Sequence, residues 1–393
     1  MPYLLMPNLK RRAALAASLL ATLLLVFSGN LARAQNQLNI PQPEFVIVAN
    51  QISQNVSVYA LDADSGALVQ VPGSPFPAGI YPDAVAIAPN GKFAYVANQT
   101  WPYYQGYIST YAINPATGVL TTVEDSPFFN SQGQPYGLAI NPTGQFLYTP
   151  GVFTDVVSGY TINPTSGNLT SISGSFGTAS QPEGIAIDPT GKFIYAPNSL
   201  SDDVSAYAIN PASGALIQVE GSPFPTGGAT PAGIENMAFD PAGRFAYVTN
   251  VNSGTISIFS IDPASGALRA IQGSPFQDPD GAPYPVTVDP AGKFLYVGNV
   301  GGNNISVFAI NAISGAITPI AGSPFPAGGY PSDVVIDHTG RFAYMTNSQS
   351  NNISAYTIAK SGGLTPVAGS PFPAGTTPFG IAITPVRGLV PRR

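Results

Sequence analysis

The chain has 393 residues, of which only 9% are charged, and it contains no cysteine. Acidic residues outnumber basic ones by 20 to 14, so neither nucleic acid nor an anionic membrane surface is expected as a partner. A chain without cysteine tolerates an oxidising compartment but gains no disulfide there. The many glycines and prolines recur at fixed offsets between β-rich runs, which predicts turns between short strands.

The N-terminus has the pattern of an export signal. A basic cluster at 10–12 precedes an apolar stretch at 13–27, and the sequence ARA at 32–34 fits a cleavage site. We predict a signal peptide at 1–34 and a linker at 35–42, with export to the periplasm or the exterior and no membrane insertion after cleavage. A membrane anchor is the alternative, but the apolar stretch is short for a span of about 20 residues. The paired arginines leave the general secretory and twin-arginine routes both open.

A long repeat follows, with the pattern D/N-P-x-G-K/R-F-x-Y, a β-rich run, S-G-x-L and then S-P-F. Its anchoring phenylalanines are 47 to 53 residues apart, and they are Phe45, Phe93, Phe146, Phe193, Phe245, Phe294 and Phe342. A period near 50 residues with four short β-runs is typical of a β-propeller blade. We therefore predict an all-β fold, a seven-bladed propeller of four-stranded antiparallel blades over 43–385, with a tail at 386–393.

The two ends of the repeat region are complementary. FVIVAN at the N-terminus reads as a second strand without a first, and FGIAITP at the C-terminus reads as a first strand without the rest. Pairing them completes one blade, removes the open sheet edges and closes the ring. An open array of separate β-domains is the alternative, but it gives the half repeats no role.

The chain resembles the lactonase family of seven-bladed propellers. The segments that carry the resemblance are NPTGQFLY, DPTGKFIYAPN, DPAGRFAYVTN and DPAGKFLYVGN, together with the runs of VSVY type followed by SGAL, and it extends over residues 43–385. The resemblance implies this fold and an activity like that of 6-phosphogluconolactonases or carboxymuconate-cyclising enzymes. It also implies His and Arg around the channel, and neither has a match in this sequence. These motifs place turns and strand cores, so they indicate fold more than chemistry.

Candidate site residues follow from the propeller geometry, because the loops before each first strand meet at the mouth of the channel. The residues there are Asp83, Tyr136, Glu183, Glu235, Tyr284, Ser332 and Phe379. We predict Glu183, Glu235 and Asp83 as acid or base groups, since sister repeats have Tyr, Ser or Phe there and the fold needs no carboxylate. The alternative is that the carboxylates only bond loop backbone.

Further ligand-binding candidates lie on the same face. Tyr136 and Tyr284 would contact a ligand, and the long loop after Asn98 carries Trp101 and Tyr104, which would cover a sugar-like or planar molecule. The repeated asparagines at the end of each second strand, including Asn98, Asn198 and Asn250, would add polar contacts. For the asparagines we favour the alternative, capping of strand ends, because they belong to the repeat itself.

Two functions remain open from sequence. The first is an exported hydrolase of a neutral lactone, for which no cofactor is expected. The second is a non-catalytic propeller that binds a ligand, a polymer or a protein partner. A phosphorylated lactone would require Arg or Lys at the pocket, and none is predicted there. The acidic pairs Asp278–Asp280 and Asp202–Asp203 lack the spacing of a calcium loop, so no metal is expected.

Overall fold

The structure is a computed structural model that describes residues 43–100, 105–130, 133–174, 176–228 and 233–385. The predicted signal peptide at 1–34, the linker at 35–42 and the tail at 386–393 lie outside the described residues. Trp101 and Tyr104 lie outside them as well, so their predicted roles stay predictions. None of the described residues belongs to a helix long and apolar enough to cross a membrane.

The described chain is all-β and forms seven blades. Blade 1 contains β1 (Phe45–Asn50) as its second strand, β2 (Asn55–Leu61) as its third strand, and β3 (Leu68–Gln70) and β4 (Phe76–Pro77) as the two parts of its outermost strand. Blade 2 has β5 (Pro82–Ile87), β6 (Phe93–Thr100), β7 (Gln105–Ile113), β8 (Leu120–Thr122) and β9 (Phe128–Asn130). Blade 3 has β10 (Ala139–Ile140), β11 (Phe146–Gly151), β12 (Val156–Ile162), β13 (Leu169–Ser171) and β14 (Phe176–Gly177).

The remaining blades repeat this order. Blade 4 has β15 (Ala186–Ile187), β16 (Phe193–Asn198), β17 (Asp203–Ile209), β18 (Leu216–Gln218) and β19 (Phe224–Pro225). Blade 5 has β20 (Ile234–Phe239), β21 (Phe245–Asn250), β22 (Thr255–Ile261), β23 (Leu268–Ala270) and β24 (Phe276–Gln277). Blade 6 has β25 (Pro283–Val288), β26 (Phe294–Asn299), β27 (Asn304–Ile310), β28 (Ile317–Pro319) and β29 (Phe325–Pro326). Blade 7 has β30 (Pro331–Ile336), β31 (Phe342–Asn347), β32 (Asn352–Ile358), β33 (Leu364–Pro366) and β34 (Phe372–Pro373), and β35 (Pro378–Ile383) returns to blade 1.

The ring closes through the two chain ends, as predicted. β1 pairs antiparallel with β35, with Ile47 opposite Ala382, so blade 1 has the strand order β3-β2-β1-β35. The seam is reinforced because the backbone N–H of Phe45 donates to Thr384 Oγ1 at 2.8 Å and the Thr384 N–H donates to the Phe45 carbonyl at 2.9 Å. Both termini of the repeat region are thus held in one sheet.

The outermost strand of each blade is interrupted, which the sequence analysis did not predict. In blade 1, β3 and β4 both pair with β2, and Ser74 lies in the gap between them. Its hydroxyl accepts the backbone N–H of Val58 at 2.8 Å. The serine of the S-P-F motif therefore replaces a ladder bond that the interruption removes, and equivalent bonds recur at Ser126, Ser222, Ser274, Ser323 and Ser370.

Two repeated motifs join neighbouring blades. The completely buried Tyr247 of blade 5 donates its hydroxyl to the carbonyl of Gly315 in blade 6 at 3.1 Å. A Cβ on Gly315, whose φ is +75°, would lie 2.4 Å from the ring of Phe245. The glycine of S-G-x-L thus packs on the F-x-Y motif of the preceding blade, and the same contacts recur around the ring, including Tyr344 to Gly66 across the seam.

Candidate active site

The first strands of the blades surround a cavity of about 160 Å³ in the centre of the ring. Neighbouring first strands contact each other in the series β5, β10 and β15 and in the series β20, β25, β30, β35 and β5, so their leading residues converge on this space. The cavity is lined by Asp83, Ala84, Val85, Tyr136, Gly137, Leu138, Glu183, Gly184, Ile185, Asn236, Tyr284, Ser332, Asp333, Phe379 and Gly380. Six of the seven residues predicted for the channel mouth are among them.

Four of the seven first strands begin with proline. β5, β25, β30 and β35 begin with Pro, which lacks the N–H that a continuous ladder would require. In β5 the pairing with β6 shifts between Pro82 and Val85. This irregularity opens the strand where Asp83 enters the cavity wall, a common use of a bulge near a binding site.

Asp83 is only 3% exposed, although it is a carboxylate. Its Oδ1 accepts a hydrogen bond from Gln51 Nε2, and Gln99 also bonds its side chain. Burial raises the pKa of Asp83 to about 7, because it penalises the charged form more than these two bonds favour it. The nearby charges of Glu183 and Asp333 also contribute to this raised pKa.

Asp333 is a second cavity carboxylate, and the sequence analysis missed it. Its Oδ1 accepts the N–H of Val334 at 2.8 Å, and its Oδ2 accepts the N–H of Ile381 at 3.0 Å. Burial outweighs both bonds and raises the pKa of Asp333 to about 7. The signal was present in the sequence, because the sister repeats have Ala84 and Gly380 at this position. The residue predicted for the channel mouth in this strand was the one before it, Ser332.

Close packing brings the two carboxylates to one wall. β35 lies between β30 and β5 and contacts both. A Cβ on Gly380 would lie 2.4 Å from the carbonyl oxygen of Asp83, so only glycine allows β35 to approach so closely. The next residue, Ile381, donates the N–H that Asp333 accepts. The clasp strand of the ring thus helps to build the site.

Glu183 and Glu235 are the other two carboxylates predicted for the site. Glu183 lines the cavity, and its charge contributes to the raised pKa of Asp83. Glu235 is the second residue of β20, the position that Asp83 has in β5, but its side chain lies outside the described part of the structure. The cavity residue of that strand is Asn236.

Aromatic side chains form another part of the wall. Tyr284 is buried, and its ring centroid lies 6.0 Å from that of Phe379 in an edge-to-face arrangement and 6.1 Å from that of Tyr330. Tyr136 lines the cavity as well. Such pairs fix ring orientation and offer a flat apolar surface to a bound ring.

The three asparagines predicted to bind ligand lie inside the blades and are not among the cavity-lining residues. Asn98, Asn198 and Asn250 have no exposed surface. The Nδ2 of Asn250, for example, donates to Thr255 Oγ1 at 2.9 Å and to Ser257 Oγ at 2.8 Å. Their geometry matches the capping of strand ends, and ligand binding by them stays a prediction.

The cavity lining contains no Lys, Arg or His among the described residues. The single histidine of the chain, His338, lies in the turn between β30 and β31, and its Nδ1 is 3.9 Å from the Glu44 carboxylate. The electrostatic character of the site therefore comes from Asp83, Glu183 and Asp333, which disfavours anions and favours neutral or cationic ligands.

The lactonase family of seven-bladed β-propellers matches residues 69–182, 171–282 and 283–377. The chain belongs to this family. The expectation drawn from the repeat motifs is thereby confirmed, together with the seven-bladed fold.

Individual proteins match this chain at low sequence identity. The chain is 29% identical over 138 residues to a 6-phosphogluconolactonase of Pectobacterium carotovorum, a match that spans 34% of this chain and 40% of that protein. Among solved structures, a Bacteroides uniformis protein superposes with a TM-score of 0.76 at 20% identity, covering 87% of this chain and 99% of that one. The periplasmic gluconolactonase PpgL of Pseudomonas aeruginosa superposes with a TM-score of 0.73 at 20% identity, covering 88% and 99%. At these identities the structural likeness concerns the fold.

Proposed function

We propose that this propeller is a hydrolase of neutral lactones, with its active site in the central cavity. The observation that carries the proposal is the pair of cavity carboxyls, Asp83 and Asp333, whose pKa values burial raises to about 7. Two such groups supply one proton donor and one proton acceptor at neutral pH, which is what ring opening by water requires.

The chemistry follows from this pairing. One carboxylate removes a proton from water while the water oxygen forms a bond to the lactone carbonyl carbon. The bond from that carbon to the ring oxygen then breaks, and the protonated carboxyl transfers its proton to the departing oxygen. The product is the open hydroxy acid, so no external reactant beyond water is consumed. The charge of Glu183 raises the pKa of Asp83, which favours the protonated form of that carboxyl.

The substrate that suits this site is uncharged. A phosphorylated lactone would bring a phosphate next to two or three carboxylates with no basic side chain among the described lining residues. The Pectobacterium relative carries the name of a phosphogluconolactonase and PpgL that of a gluconolactonase. The acidic lining favours the second kind of substrate, and Tyr136 and Tyr284 would hold the sugar-like ring.

Export is part of the proposal. The signal-peptide pattern at 1–34 supports it, as does the structural likeness to a periplasmic protein. A site that excludes phosphorylated sugars is suited to the periplasm or the exterior. No nucleic acid is proposed as a partner.

Non-catalytic binding is the second candidate, and the wall formed by Tyr284 and Phe379 favours it, because a flat aromatic surface binds a sugar ring whether or not chemistry follows. The occupant would be a small carbohydrate-like molecule or the exposed end of a polymer or protein partner.

Acid release at constant pH from a panel of sugar lactones and simple γ- and δ-lactones, each sugar lactone tested with and without a 6-phosphate, separates the candidates. We expect turnover of neutral lactones by residues 35–393 and its loss in the double variant Asp83→Asn, Asp333→Asn. Rates equal to buffer for the folded protein would refute the hydrolase. Turnover confined to phosphorylated lactones would refute the substrate assignment.

A further inference from the structure

The loop that leads into β25 differs from its counterparts in three sister blades. In blades 1, 2 and 7 the asparagine at the end of the second strand accepts, on its Oδ1, the backbone N–H of a loop glycine. These pairs are Asn50 with Gly375 at 3.1 Å, Asn98 with Gly79 at 2.9 Å and Asn347 with Gly328 at 3.1 Å. In blade 6 the corresponding loop residue is Pro279, which has no N–H. The Oδ1 of the completely buried Asn299 has no hydrogen-bond donor in the described structure, and the same is true of Asn198 and Asn250 in blades 4 and 5. In blade 6 the proline removes the donor that blades 1, 2 and 7 use.

The residue before Pro279 adds a second buried acceptor. Asp278 occupies the position that is alanine in the equivalent loops at blades 1, 2 and 7. Its backbone N–H donates to the carbonyl oxygen of Gly254 at 3.0 Å, and the alanines make the equivalent backbone bond. Its side chain is 1% exposed, and its Oδ2 has no hydrogen-bond partner among the described residues. A buried carboxylate oxygen without a partner is costly, so this oxygen calls for a ligand.

Ser306 and Asp280 place two more oxygens beside Asp278, whose Oδ1 also accepts the backbone N–H of Asp280 at 3.1 Å. The Oγ of Ser306 lies 3.3 Å from Asp278 Oδ1 and 3.3 Å from Asp280 Oδ2, and it accepts the Nδ2 proton of Asn299 at 2.8 Å. One hydroxyl has one proton, so it cannot serve two carboxylates. Among the described residues, neither Asp278 nor Asp280 forms an ion pair with a basic side chain.

We propose that Asp278, Asp280, Asn299 and Ser306 form a binding site for a calcium ion. Carboxylate, amide and hydroxyl oxygens are the ligands of a hard cation, and two ligands at 2.3–2.6 Å and at right angles lie about 3.3–3.7 Å apart. The oxygen separations around Ser306 match that range. Calcium is favoured over magnesium, because it accepts irregular sets of neutral and charged oxygens.

This site differs from the loop type that the sequence analysis considered. The four ligands come from the loop before β25, the end of β26 and the strand β27, so no contiguous spacing reveals them. The described residues also include no group of three or more acidic, His or Cys side chains able to hold a metal. The site depends on two carboxylates and two neutral oxygens, which predicts an affinity of about 10⁻⁵–10⁻³ M.

The loop also reaches the cavity. Asp280 is followed within four residues by Tyr284, which lines the cavity and packs on Phe379. A bound calcium ion would fix the chain just before this tyrosine.

The test uses the purified chain 35–393, stripped with a chelator and then melted over a calcium series up to about 5 mM, with magnesium and sodium series alongside. We expect one calcium ion to bind saturably by titration calorimetry and to raise the Tm by about 3–5 °C.

Three variants make the result decisive. Asp278→Ala takes the residue found in three sister blades and should abolish the calcium response. The double variant Asp278→Ala, Pro279→Gly restores the sister sequence, including the N–H for Asn299, and should be stable without calcium. Asp262→Asn, on an exposed turn where sister repeats have asparagine, should respond as the parent does. No saturable response in the parent chain, or a full response in Asp278→Ala, would overturn the proposal.

Discussion

The buried carboxylate Asp83 should make the protein less stable as the pH rises from about 5 to about 8. Its pKa is about 7 in the folded chain, against an ordinary aspartate value of 3.8 in the unfolded chain. A folded pKa above the unfolded one means that the folded state holds more protons in this range, so the free energy of unfolding falls as pH rises. Asn is neutral at every pH and nearly isosteric, and its Oδ1 still accepts from Gln51.

The size of the effect follows from the two pKa values. Between about pH 5 and about pH 8 ionisation of Asp83 lowers the free energy of unfolding by about 2–3 kcal/mol, since one pKa unit corresponds to about 1.4 kcal/mol. The variant Asp83→Asn escapes this loss, so its stability relative to the parent chain should increase by that amount over the range. It keeps a smaller pH dependence, because Asp333 still titrates near 7.

Urea unfolding followed by circular dichroism at several pH values measures this difference. Asp262→Asn is the matched control, because the turn lowers the pKa of the exposed Asp262 and the group is therefore ionised throughout the range. The control should parallel the parent chain. If Asp83→Asn also parallels it from about pH 5 to about pH 8, Asp83 does not carry a raised pKa and the reasoning about the site fails.

Two further predictions concern the contacts between blades. Gly266→Ala should destabilise the protein by about 2–4 kcal/mol, because φ there is +78° and a Cβ would lie 2.3 Å from the Phe193 ring; an unchanged urea midpoint would contradict this contact. Tyr247→Phe removes the hydroxyl that donates to Gly315 and should cost about 1 kcal/mol in the same assay, with Tyr81→Phe, outside these contacts, as control. Equal midpoints for both tyrosine variants would show that the bond does not stabilise the ring.

The fold could be predicted from the sequence because its determinants recur in each repeat. Tyr247 and Gly315, for example, belong to motifs that repeat at the same spacing, and the contact between them joins neighbouring blades. The pairing of β1 with β35 could also be predicted from the sequence, because the N-terminal half repeat lacks a first strand and the C-terminal half repeat supplies one. The interruption of the outermost strand at Ser74 could not be predicted from the sequence, because it depends on how the backbone passes β2.

The site was only partly predictable, because its residues are those that depart from the repeat. Asp83 and Glu183 were predicted as such departures, and both line the cavity. Asp333 departs from the repeat too, but its burial and its bond from Ile381 arise only when β35 closes the ring. The proposed calcium site has no contiguous signal in the sequence, because Asp278 and Asp280 lie in a loop while Asn299 and Ser306 lie on β26 and β27.

The pH dependence of kcat/KM for a neutral sugar lactone tests the central claim most directly. Initial rates of acid release, corrected for buffer hydrolysis, would be compared for the parent chain, Asp83→Asn and Asp262→Asn. We predict a bell-shaped profile centred near neutral pH for the parent and control, since both limbs come from cavity carboxyls with pKa values of about 7. Asp83→Asn should lose one limb and about 10²-fold or more in kcat/KM. A profile that is flat, or identical in the parent chain and Asp83→Asn, would contradict acid–base catalysis by the buried carboxyls.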